Sequence, residues 1–310
     1  MLLPYVYKVT KYDPTDWNED GRYVGLEVET SDHGPKEAAY LAAVLAFAEE
    51  SEVAEVSIRE PELAGPVNFG LEAPIDGYGL DGLLSPDLSD YYDGAVVPVS
   101  VAIELVRTML RDNGAWCRLE VEEKFLVHVG FDQYMYIGSH IPCERALAAA
   151  VDLGLFPVRQ ERSPYEDSDE TPGPAADAGF WANLADLTRR HGTILLRESP
   201  VRNMSRWHRL TPGTVDGVQL APRAMLSVWP DLAPDVEAVQ ATAGSVCEYV
   251  WEDQAGDIQS VILFDPNAED LPDGAVAAAA ISLIEEEYNP LLEGVLPDPD
   301  GVLRARWSAS

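Results

Sequence analysis

The sequence predicts an α+β protein of two mixed α/β domains, each a small, mostly antiparallel sheet packed against helices. Three observations carry that expectation. Alternating apolar and polar runs between 115 and 139 are bracketed by segments of helical period. An acidic, proline-rich stretch at 164–178, PYEDSDETPGPAADA, separates two regions that each mix both patterns. The length of 310 residues is more than one ordinary core organises. The expected division is an N-terminal domain at 1–163, a linker at 164–178 and a C-terminal domain at 179–310.

YVYKVTKYD (5–13) alternates as a strand does. GPKEAAYLAAVLAFAEES (34–51) starts a helix at Pro35 and places Tyr40, Val44, Phe47 and Ala48 at helical spacing. AEVSIRE (54–60) reads as a strand, and the aperiodic, Gly- and Pro-rich 61–94 as a long ordered loop that covers or lines something. PVSVAIELVRTMLRDNG (98–114) is an amphipathic helix striped by Val101, Leu105, Met109 and Leu110 and closed by Gly114. AWCRLEV (115–121), FLVHVG (125–130) and QYMYIGS (133–139) have short connections and predict an antiparallel meander. A helix over 141–154 and a strand over 156–163 complete the first half. Beyond the linker come a helix at 180–192, strands at 193–199 and 221–231, a hairpin at 247–264 turning at DQAGD, and a long helix at 274–295 that Pro290 ends or kinks.

Strand parity sorts the meander into two faces. Cys117, Leu119, Val121, Phe125, Val127, Val129, Met135 and Ile137 share the apolar one. Trp116, Arg118, His128, Tyr134 and Tyr136 share the other. Cys117 and His128 therefore point apart, which argues against a zinc site, since its ligands must converge. His140 and Cys143 lack an orienting third group, and GYGLDG (77–82) lacks the strand–turn–helix context of a dinucleotide loop. No catalytic residue, metal or cofactor is expected. The three cysteines, never in a CxxC pair, read as reduced, buried thiols.

Charge is the strongest global signal. Fifty-four acids against 21 bases give −33, a surface that repels phosphate backbones and anionic lipid and attracts basic partners, unless it serves solubility alone. One segment runs against it. RRHGTILLRESPVRNMSRWHRLTPGTVDGVQLAPR (189–223) holds seven arginines against Glu198 and Asp216, a local +5 with Trp207 and His208 interleaved. Arg202, Arg206, Trp207, His208 and Arg209 are thus one candidate binding set, suited to phosphate contact and base stacking. Arg118, His128, Tyr134 and Tyr136 are the second, because aromatics beside an arginine on an open sheet stack RNA bases. The competing readings are that the arginines pair with acids of their own domain, and that another element, such as the 61–94 loop, covers the aromatic face. The start, MLLPYVYKVTKYD, has no basic n-region, and no apolar run reaches the ~18–20 residues of a span, so a cytoplasmic protein without membrane contact is expected.

YVYKVTKYDP, SDHGP, RDNGAWCRLE, VHVGFDQYMYIGS, GLFP, SRWHRLT, VWPDL and DPDGVLRARW resemble segments of a Streptomyces-type family labelled RNA-binding protein, along nearly all of the chain. The resemblance implies a module tied to RNA metabolism or translation. Members of that family continue past the counterpart of Arg304–Trp307 into an OB-fold RNA-binding domain, expected to be absent here, and no catalytic residue carries over. The functional expectation is a non-enzymatic binding or adaptor protein with a basic protein partner, and RNA contact at most weak and local. The alternative is an acidic inhibitor or immunity-type protein covering a basic nuclease or nucleic-acid-binding surface.

Overall fold

The computed structural model describes residues 3–25, 34–63, 80, 82–85, 88–111, 114–130, 134–165, 173–266, 274–284 and 286–304. Among these, strand outweighs helix, 35% against 25%, with 14 strands in three antiparallel sheets and 5 α-helices. This corrects the α+β expectation of two mixed domains with one small sheet each. The chain forms two compact units, Met1–Asp169 with Val201–Asn203, and Glu170–Pro200 with Met204–Ser310. The first carries one sheet of seven strands, and the second carries two sheets. Within the expected linker, residues 166–172 lie outside the described residues.

The first unit is built on strands β1 (Tyr5–Thr10), β2 (Glu55–Glu62), β3 (Val96–Pro98), β4 (Trp116–Val121), β5 (Phe125–Val129), β6 (Met135–Ser139) and β7 (Phe156–Gln160). They lie in the order β3-β2-β4-β5-β6-β1-β7, so the meander β4–β6 is the centre of the sheet and β1 extends it. The register aligns Ile58, Leu119, Val127, Ile137 and Tyr7 in one row across five strands. Helix α1 (Pro35–Glu50) lies on this side, its Phe47 ring 5.9 Å from that of Tyr7. Helix α2 (Val99–Leu110) buries Leu105, Val106 and Met109, and α3 (Glu144–Asp152) buries Ala146 and Ala150. Pro35 at N1 and the positive φ of Gly34 (65°) start α1 where a side chain before the helix would be strained. Of the 61–94 loop, residues 64–79, 81 and 86–87 lie outside the described residues, the GYGLDG glycine pair included, but Tyr91 and Asp93 are fully buried.

In the second unit, α4 (Ala178–His191) is capped by Asp177, whose carboxylate accepts from the amides of Gly179 and Phe180 at 2.8 and 3.1 Å. Strands β8 (Ile194–Val201), β9 (Met204–Leu210), β10 (Met225–Pro230) and β14 (Leu292–Val295) form a sheet in the order β14-β10-β8-β9. One face packs Ile194, Leu196, Leu226 and Val228 against Phe180, Leu184 and Leu187 of α4. The other sets Leu195 and Trp229 against Val250 and Ile281 of the second sheet, formed by β12 (Ile258–Phe264), β11 (Val246–Glu252) and β13 (Ala277–Ser282) in that order. A short helix, α5 (Val236–Ala241), contacts β13.

The helix expected over 274–295 is replaced by β13 and β14. AAAAIS has high helix propensity, but that preference is worth only tenths of a kcal/mol per residue. It is outweighed by six paired positions along β11, from Cys247–Ser282 to Glu252–Ala277, and by burial of Ala278. Strand β9 is a second departure, since no strand was expected between 199 and 221.

Gly294 gives a direct test of the second core. A Cβ there would lie 2.8 Å from Phe180 Cδ2 and 3.1 Å from Ala176 Cβ. Gly294→Ala is expected to cost about 1–3 kcal/mol by overpacking, read as a lower urea midpoint; an unchanged midpoint would show that α4 is not seated tightly on β14.

Candidate functional site

The polar face of the first sheet is where the sequence places Arg118, His128 and Tyr136, and the register brings them side by side. Arg59, Arg118, His128, Tyr136 and Lys8 form one row across β2, β4, β5, β6 and β1. Two arginines adjacent in a row repel unless anions are supplied. Asp93, itself fully buried, takes Arg59 at 3.2 Å. Arg118 is 0% exposed; its Nη2 donates to Glu60 at 3.0 Å, its Nε lies 3.3 Å from Glu120, and its Nη1 donates to the Tyr165 carbonyl. The Glu60 carboxylate reaches inward because β2 slips register between Arg59 and Glu62, with Glu60 itself at φ 48°. A bulge of this kind re-aims a side chain.

His128 continues the network. Its Nδ1 lies 2.7 Å from Ser163 Oγ and its Nε2 3.0 Å from Glu120 Oε1. A neutral ring protonated on Nε2 satisfies both, with the serine donating and the carboxylate accepting. The order hydroxyl, imidazole, carboxylate is that of a nucleophilic triad. Its setting is not: Ser163 is 1% exposed, His128 is sealed, and Glu120 is held by Arg118. The Tyr165 ring lies over the row, 5.8 Å from Trp116, 6.4 Å from His128 and 5.9 Å from Tyr136. The Ser163–His128–Glu120 chain fastens the 163–165 segment onto the sheet and leaves the serine no approach to a carbonyl substrate. Burial, then the neighbouring Tyr165 and Tyr134 hydroxyls, push the Tyr136 hydroxyl pKa upward.

Tyr134 lies away from this cover. Its ring meets Tyr12 at 5.9 Å and carries Lys8 Nζ 3.7 Å from its centroid. The sequence reading overlooked Ser163, Tyr165 and Glu60, and it placed Glu120 on this face without counting it in the candidate set. Glu120 had a signal, since strand parity puts it on the face of Arg118 two residues away. Tyr165 had none, because its position follows from how the chain returns after β7.

In the second unit the arginines of 189–223 meet carboxylates. Arg197 pairs with buried Glu248 at 2.9 Å. Arg209 pairs with Asp231 at 2.9 Å and with both oxygens of Glu252 at 2.8 and 2.9 Å. Arg223 holds Asp298 at 2.8 and 3.0 Å. Arg189 and Arg190 share Asp186 on the surface of α4. His208 lies 2.7 Å from buried Glu198, which Arg206 approaches at 3.7 Å. Trp207 packs beside Leu195, Val250 and Ile258. Arg202 groups with the first unit, where its amide donates to the Pro61 carbonyl. The candidate basic set is thus split between units, and in the second its positive charge faces carboxylates largely from outside the segment.

All three cysteines are buried and unbridged, and burial pushes the Cys117 thiol up to about 12. Among the described residues no three His, Cys, Asp or Glu side chains gather as metal ligands do, and no helix is long and apolar enough to cross a membrane. No protein-family model matches this chain, and neither a curated protein nor a solved structure does.

Proposed function

We propose that this protein works by binding rather than by catalysis, as an acidic cytoplasmic protein that covers the basic surface of a nuclease or other nucleic-acid-binding protein. The observation that carries this reading is the pairing of Arg197, Arg209 and Arg223 with Glu248, Glu252 and Asp298. With these cations matched internally, little in 189–223 is left for a phosphate backbone, while the chain as a whole keeps a charge of −33. Such a field draws a cationic surface from a distance and weakens as salt shortens the Debye length, from ~30 Å at 0.01 M to ~8 Å at 0.15 M. The sealed serine at 163 supports binding over hydrolysis. The link to RNA metabolism rests on the sequence resemblance.

Competition tests the reading. A labelled mixed-sequence single-stranded RNA is bound to a nona-arginine peptide, and the protein is then added at low salt. The expected result is release of RNA, seen as a fall in anisotropy, and less release as salt rises. Direct retention of RNA by the protein would overturn it in favour of an RNA adaptor.

A further inference from the structure

The loop that follows β1 carries features the polar face does not use. Asp13 caps a short 3-10 turn, accepting from the Thr15 amide at 2.8 Å, and Trp17 then bridges to Tyr23. Asn18 organises the intervening turn, its side chain accepting from the amides of Asp20 and Arg22 at 3.1 and 2.8 Å. The loop is therefore a built hairpin, and it holds its aromatics in a fixed file. Trp17 meets Tyr23 edge to face at 5.5 Å, Tyr23 meets Tyr12 at 4.8 Å, and Tyr12 meets Tyr134 at 5.9 Å.

The inner end of the file is occupied by a cation, with Lys8 on the Tyr134 ring. The outer end is presented to solvent: Trp17 is 43% exposed and Val24 62%. In the sequence around this indole, Asp13, Asp16, Glu19 and Asp20 stand against Arg22, while Lys11 lies farther along the file, 5.2 Å from the centre of the Tyr12 ring. The Asp16 carboxylate borders the file itself, since a Cβ on Gly25 would fall 2.8 Å from Asp16 Oδ2 and 2.2 Å from Tyr23 Oη. An aromatic face with a carboxylate at its rim is complementary to a guanidinium, which lays its flat face on the ring and turns its N–H groups to the acid. It is poorly suited to a phosphate or an anionic lipid headgroup, which the same carboxylates repel.

We propose that the Trp17–Tyr23 end of this hairpin, with Asp16, is the docking point for an arginine side chain of the basic partner. This rests on the binding function proposed above and names its contact. An arginine is favoured over a lysine because its plane stacks while its edge still donates, which a compact ammonium cannot do.

The test uses the full chain labelled with 15N at tryptophan, titrated at low salt with nona-arginine and, in parallel, nona-lysine. The Trp17 indole resonance, assigned by its absence from Trp17→Phe, is expected to shift with nona-arginine more than with nona-lysine. Trp17→Ala is expected to weaken nona-arginine binding by about three- to tenfold, as loss of a partly exposed cation–π contact does, while Trp17→Phe retains most of it. Asp16→Asn is expected to weaken it as well and to reduce its salt dependence. If nona-arginine binds the wild type and Trp17→Ala equally, the docking point is elsewhere, and the inference fails while the acidic-surface function stands. If neither peptide binds the wild type at low salt, both fail. Trp17 is half out in solvent, so the alanine variant is expected to fold, which unchanged chemical shifts of the other indoles verify.

Discussion

Replacing Arg118 by alanine is expected to destabilise the first unit by about 3–5 kcal/mol, the cost of removing one partner from a buried charge network. The guanidinium is fully enclosed and joins Glu60 of β2, Glu120 of β4 and the Tyr165 carbonyl. Without it, the Glu60 and Glu120 carboxylates lose the cation they share, and the Tyr165 carbonyl loses a donor. The shorter, rounder ammonium of Arg118→Lys cannot reach all three acceptors at once, so it is expected to recover part of the loss. Urea unfolding followed by circular dichroism reads the effect. The double variant Arg118→Met/Glu120→Gln separates charge from packing: it is expected to be more stable than Arg118→Ala, because no carboxylate at 120 is left stranded. A loss below about 1 kcal/mol for Arg118→Ala would show that solvent reaches the row and that Tyr165 does not close it.

Glu37→Ala is expected to cost about 3 kcal/mol, and Glu37 also sets part of the acid sensitivity of the first unit. It projects from the first turn of α1 and is 3% exposed. Arg111 Nε and Nη2 donate to it at 2.5 and 2.9 Å, and Arg107 Nη1 at 2.6 Å, which ties α1 to α2. Burial alone would raise its pKa; the hydrogen bonds from Arg111 and Arg107 outweigh burial and hold it below the ordinary carboxylate range. A depressed folded pKa contributes stability that is complete above the unfolded value and lost as pH falls through the folded one. The first unit should therefore weaken as pH drops below the usual carboxylate range. Glu37→Gln should be less stable at neutral pH and show a flatter acid limb. An acid limb identical in wild type and Glu37→Gln would assign the acid sensitivity to other carboxylates.

Much of the first unit was legible because its information is local. The alternation of 115–139 set both which residues face the helices and which share the other face, and the register rows Ile58–Leu119–Val127–Ile137 and Arg118–His128–Tyr136 follow that parity. Helix starts at Pro35 and near Pro98 came from capping chemistry that acts within a few residues. The surplus of carboxylates needed only counting.

What the chain could not disclose was which pieces far apart in sequence would meet. The Ala-rich stretch at 277–282 carries a helix signal, and only pairing with β11, 27 positions earlier at Trp251–Ala278, makes it a strand. Arg197 and Arg209 read as a basic patch until Glu248 and Glu252 are brought to them from the next sheet. The sequence leaves the aromatic face either open or covered by some other element, and the cover proves to be Ser163 and Tyr165, returning across it from beyond β7. In each case a weak local preference, worth tenths of a kcal/mol per residue, competes with strand pairing, ion pairing or burial that exists only after distant segments are joined. The sequence by itself determined the parity of the central strands, the helix starts and the sign of the charge. Tertiary structure alone decided which charges are spent inside the fold and that Trp17 is left partly outside it, because solvation and pairing depend on neighbours in space rather than neighbours along the chain.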